Sequence, residues 1–76
     1  MIVKGQAFRY RPTGDSQERI VRVTGRRRNM KSLRGLAVYR CVILVVDAEG
    51  KELGVQRIPL EVGEENLLQR EPQYDR

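Results

Sequence analysis

Ten consecutive residues, Ala37 to Val46, carry one charge, Arg40, and are otherwise apolar and largely β-branched. Such a run commits the chain to a sheet, because Val and Ile are stiff at χ1 and suit a pleated surface. Split by alternation, one face of the strand carries Ala37, Tyr39, Cys41, Ile43 and Val45. The other carries Val38, Arg40, Val42, Leu44 and Val46. An antiparallel strand in a small protein normally keeps one face wet. Here the second half is apolar on both. Val42, Leu44 and Val46 therefore need cover, from the C-terminal segment (Leu67 and Leu68 in particular), from a second copy of the chain, or from another protein. Burying three such side chains contributes on the order of 4–8 kcal/mol as an upper bound, at roughly 1.5–3 kcal/mol each. These three are the candidate protein-interface residues, and a homodimer through this strand is expected if the tail leaves them open.

The rest of the sequence supplies partners for that strand. Gln6 to Arg11 alternates, with Phe8 and Tyr10 opposite Arg9 and Arg11, the period of a half-buried strand. Pro12 to Ser16 is turn chemistry, and Glu18 to Thr24 reads as the second strand. Leu36 to Asp47 is the third, and Ala48 to Lys51 is a hairpin turn with Gly50 at the position that needs positive φ. In the fourth, Glu52 to Leu60, the apolar phase slips between Leu53/Val55 and Ile58/Leu60, which marks a bulge or bend. Pro59 confines that part to an edge. Glu61 to Asn66 reads as a polar turn with room for a short 3₁₀ piece, and a short last strand runs through Leu67 and Leu68. The expected fold is mostly β: a small antiparallel barrel or bent sheet of four to five strands, SH3-like, with an OB-like barrel as the alternative. Residues 1–70 form the single domain, and 71–76 read as a flexible C-terminal tail.

Chemistry is limited by what the 76 residues lack. There is no histidine, so the commonest general base, His-containing triads and the usual zinc sets are absent. Cys41, the only cysteine, sits mid-strand and reads as a structural core residue. Asp47, Glu49 and Glu52 lack the spacing of a calcium loop, and Glu61, Glu64 and Glu65 read as a solvated turn. The expectation is a non-enzyme that needs no metal or cofactor. With no leader-like apolar segment and no run long enough to cross a bilayer, a cytoplasmic protein without membrane contact is expected.

Charge carries the positive signal. Residues 1–40 hold eleven Lys/Arg against two acids, +9, and residues 41–76 hold four against eight, −4, which makes the net +5. The acidic half is thus able to neutralise the basic half. The densest segment is Gly25 to Gly35, GRRRNMKSLRG, with five cations and no acid. It is expected as a long basic loop, and such loops in small domains are often functional. Arg26, Arg27, Arg28, Lys31 and Arg34 are candidate phosphate contacts, Arg9 and Arg11 extend the track, and Tyr10 is a candidate for base stacking. The expected function is a small basic module that docks on nucleic acid, RNA in preference to DNA because an Arg-rich loop suits irregular single strands. One alternative is a protein–protein module or oligomer subunit that uses the apolar strand, with the basic loop steering an acidic partner. Another is a domain with no specific ligand.

Overall fold

The computed structural model describes residues 1–12, Gly14 and 17–76. The turn expected over Pro12 to Ser16 falls largely outside them, at Thr13, Asp15 and Ser16. Six strands form: β1 (Ala7–Tyr10), β2 (Arg19–Lys31), β3 (Ala37–Val46), β4 (Glu52–Val55), β5 (Leu60–Gly63) and β6 (Leu67–Arg70). Short 3₁₀ turns follow β5 (Glu64–Asn66) and β6 (Pro72–Tyr74). All pairings are antiparallel, in the order β4-β3-β2-β1-β6, and β5 also pairs with β3. The mostly β, bent-sheet expectation therefore holds. The barrel does not close, because β5 and β6 are joined by the 3₁₀ turn and share no ladder.

The apolar strand is the axis of the sheet. One edge of β3 pairs with β2 from Val21↔Ile43 to Lys31↔Ala37. Its other edge is divided. Val38 to Cys41 pair with β5, and Leu44 to Val46 pair with β4. That division explains the phase slip read from Glu52 to Leu60. The segment is two strands with a bend at Arg57–Ile58, so each re-enters the β3 edge in its own register. Pro59, which has no N–H to donate, lies between them.

Both faces of the sheet are covered, as an apolar strand on both sides requires. On one face Phe8, Val21, Val23, Tyr39, Cys41, Val62 and Leu67 form the larger core, with Ile43 and Leu60 against it. On the other, Ala7, Leu44 and Tyr74 pack with Ile20, Val42 and Val46. Leu44 is only 5% exposed. The cover comes from Tyr74 rather than from the leucines expected: Leu67 belongs to the opposite core and Leu68 is 50% exposed.

Residues 71–76 are accordingly a docked strap, not a loose tail. The Glu71 and Arg76 N–H groups donate to the carbonyls of Ala7 and Gly5, both at 2.9 Å, and the Ala7 N–H donates to Asp75 Oδ1 at 2.8 Å. The Tyr74 hydroxyl donates to the Gly50 carbonyl at 2.5 Å. Arg22, itself buried, donates from Nε and Nη2 to the Tyr74 carbonyl at 3.0 and 2.9 Å and pairs with Glu52. Gly5 makes the close approach possible. Its φ is 96°, and a Cβ there would sit 2.1 Å from the Arg76 carbonyl oxygen.

Candidate nucleic-acid interface

The segment expected as a basic loop is mostly strand. β2 runs without a break through Arg26, Arg27 and Arg28 to Lys31, because β3 is long enough to pair with it as far as Lys31↔Ala37. The ladder is irregular: Val38 opposes Arg27 and Ala37 opposes Lys31, so Arg28, Asn29 and Met30 bulge out unopposed. Such an insertion bends a strand and re-aims its side chains. Arg26 to Met30 line a concavity of about 290 Å³.

The ribbon closes in a tight turn. The Gly35 N–H donates to the Ser32 carbonyl and the Ser32 N–H to the Leu36 carbonyl, both at 2.9 Å. Ser32 Oγ accepts from the N–H groups of Arg34 and Leu36. Gly35, at φ 79°, takes the left-handed position that ends this turn type. The tip presents Leu33, which is fully exposed, beside Arg34. From Gly25 outward, β2 has β3 on one side and no strand on the other, since β1 pairs only with Arg19 to Arg22. The result is a two-stranded basic arm.

Ion pairing separates the candidate cations into two groups. Arg9 pairs with Glu71 at 3.1 Å and with Glu18 at 3.7 Å, and Arg11 pairs with Glu18 at 3.1 Å. Arg27 pairs with Glu61 at 3.0 Å. Among the described residues, Arg26, Arg28, Lys31 and Arg34 have no carboxylate within ion-pair distance, and all four are exposed. The acidic half does fold back, onto Arg9, Arg22 and Arg27 of the basic half, and leaves the arm charged. Arg9 faces Ile20, seven residues before Arg27 on β2. That is roughly 20 Å at about 3.3 Å per residue, so Arg9 and Arg11 do not extend the arm's cluster.

The aromatic candidates face inward. Tyr10 is half-buried against the larger core, and burial pushes its phenol above its ordinary value. Tyr39 is buried, and its hydroxyl donates to Glu64 Oε1 at 3.4 Å. Its phenol is raised mainly by burial and then by the Glu64 charge, against a lowering by Arg26. No base-stacking platform lies on the arm. Asp47, read as one corner of an acidic cluster, is a turn cap whose Oδ1 accepts from the N–H groups of Glu49 and Lys51. Cys41 is fully buried, and burial pushes its thiol up to about 12. Among the described residues no group of three potential ligands lies together for a metal, and no helix is long and apolar enough to cross a membrane.

Sequence reasoning put the protein-interface candidates on Val42, Leu44 and Val46, which the strap covers. Exposed apolar side chains lie instead on β4 and the bend after it, at Leu53, Val55 and Ile58. The phase slip in that segment was the available signal, since a bend leaves side chains between two registers without a packing partner.

Fold and site together define a small, mostly β protein with a strapped core and a basic hairpin arm. Compared with protein-family models, curated proteins and solved structures, the chain has no match.

Proposed function

We propose that this protein is a non-enzymatic binding module whose basic arm docks on nucleic acid through the phosphate backbone. The observation that carries the reading is the unpaired state of Arg26, Arg28, Lys31 and Arg34. Their neighbour Arg27 is matched by Glu61, while these four share one hairpin end. Clustered cations without internal partners attract phosphates by charge and by counterion release. Arginine adds a planar fork that suits phosphate oxygens. The preference for RNA read from the sequence rests on an Arg-rich loop suited to irregular single strands, with Tyr10 as the stacking candidate. A ribbon with inward aromatics supports backbone contact and gives no base-stacking means.

The test is fluorescence anisotropy with duplex DNA, single-stranded RNA and heparin at about 50 and 200 mM salt, the range over which phosphate contacts are most salt-sensitive. The triple variant Arg26→Ala, Arg28→Ala, Lys31→Ala is expected to bind at least about tenfold more weakly, with a log–log salt slope smaller by about 2–3. Unchanged affinity, or equal binding of heparin and nucleic acid by the wild type, defeats the reading. Charged side chains on an unpaired strand also block edge-to-edge pairing. A variant that keeps its affinity but associates as concentration rises assigns the arginines that protective role instead.

A further inference from the structure

The arm ends on an apolar residue where turn chemistry calls for a polar one. Leu33 occupies the first central position of the Ser32–Gly35 turn and is 107% exposed. Turn positions are normally filled by Gly, Pro, Asn, Asp or Ser. Met30 and Leu36 near it are also exposed, and Lys31 and Arg34 lie within two residues of it in sequence. The turn is held by two backbone hydrogen bonds and by Ser32 Oγ, which accepts twice. Leu33 is thus presented on a fixed scaffold, with little ordering left to do on contact.

We infer that the arm takes duplex DNA and that Leu33 is a wedge inserted at a base step, which kinks the duplex. This rests on the nucleic-acid reading above and deepens it. Three observations favour it. First, a two-stranded ribbon fits a groove, and the bulged Arg28–Asn29–Met30 segment widens the cationic surface beside the tip. Second, single-strand binders rely on exposed aromatics, and Tyr10 and Tyr39 face the core. Third, an apolar side chain of this size, flanked by cations, is what proteins push between base pairs when they bend DNA. An anionic membrane also attracts cations around an apolar tip. Interfacial anchors, however, draw on Trp, Tyr or Phe and on a broad apolar face, and this tip has no aromatic. The Arg26, Arg28, Lys31 and Arg34 side chains hold the phosphates on either side, so affinity and bending reside in different residues.

That separation sets the experiment. A duplex of roughly 20–30 bp with a central TA step is labelled at both ends for energy transfer, and its affinity is followed by anisotropy in the same samples. Wild type is expected to bind and to raise the transfer efficiency. Leu33→Ser, on an exposed turn and outside both cores, is expected to keep affinity within about fivefold and lose most of the rise. Circular dichroism confirms its fold. The Arg26→Ala, Arg28→Ala, Lys31→Ala protein tests the parent reading, because it loses binding itself. Tight binding with no change in transfer, or Leu33→Ser bending as wild type does, overturns the wedge and leaves phosphate docking standing. Preference for single-stranded RNA does the same. Capture by phosphatidylserine vesicles that depends on Leu33, with no duplex binding, overturns both.

Discussion

At the scale of single residues, burial settles which side chains are chemically available. Cys41 lies between Arg40 and Val42 on β3, within the larger core, and has no solvent exposure. With its thiol pushed up to about 12, less than one molecule in about 10⁴ carries a thiolate near pH 7–8, and no path reaches the sulfur. The expected outcome with a thiol-reactive dye at pH 8 is labelling only through opening of the core. The rate should fall by several orders of magnitude relative to the urea-unfolded chain and track global stability. Labelling at the unfolded rate in native buffer would show that β3 is not held as described. Arg22 makes the complementary point. It is the one buried cation among the described residues, and three hydrogen bonds satisfy it: two to the Tyr74 carbonyl and one to Glu52. Read from the sequence, it is one more arginine of a basic strand; only the strap's position turns it into a structural clamp.

At the scale of elements, the last six residues behave as a seventh piece of the sheet architecture. Tyr74 is buried on the Ala7–Leu44 face, and its hydroxyl reaches Gly50 in the β3–β4 turn. Truncation by Tyr74→Ala is expected to cost about 3–5 kcal/mol, as large aromatic deletions do. Tyr74→Phe, which loses only the hydroxyl bond, should cost about 0.5–1.5 kcal/mol. Urea titrations measure both. Removal of residues 71–76 uncovers Leu44, Val42 and Val46, so the shortened chain should self-associate in light scattering where the full chain does not. Equal stability of wild type and Tyr74→Ala would mean that the strap is not part of the folded unit. The sequence announced the demand for this cover and pointed to the C-terminal segment, but to Leu67 and Leu68 rather than to Tyr74. Apolar patterning is local and therefore readable: it placed β1, the first half of β2 and β3, and turn chemistry placed the turn at Gly50. Cover of the second face depends on contacts such as Arg22 with Tyr74, more than fifty residues apart, which no local period encodes. One proline and several charges made residues 71–76 look loose. Likewise Gly25 and the arginine run looked like a loop because β2 has no apolar alternation there, and pairing with β3 overrides that local preference.

At the scale of the whole molecule, charge is divided between holding the fold and facing outward. Between Arg19 and Val46 the chain has eight cations and no acid, so every carboxylate that serves this region comes from elsewhere. Glu52 serves the strap. The hydrogen bond from Arg22 holds its carboxyl below the ordinary 4.5, against a raising effect of burial and with help from the Arg22 and Arg76 charges. A carboxylate with a depressed folded value stabilises the protein above its unfolded value, and that stability is lost as pH falls through the folded one. The molecule's overall charge works in the same direction: with all ten carboxylates neutral, its +5 becomes +15 and self-repulsion grows. The expected urea midpoint is therefore nearly flat from pH 7 to pH 5 and falls steadily below about pH 4.5. Glu52→Gln should lower stability at pH 7 by about 2 kcal/mol, as loss of a hydrogen bond between charged groups does. Its curve should run closer to level below pH 4.5 and approach the wild-type curve in acid. Parallel curves for the two proteins across that window would place the acid sensitivity in general repulsion and remove Glu52 from it. The arm lies outside this accounting, since Arg26, Arg28, Lys31 and Arg34 have no carboxylate partner to lose. Alanine at those positions should leave the pH profile of stability in place while it removes binding, which separates the residues that hold the molecule together from those it offers to a partner.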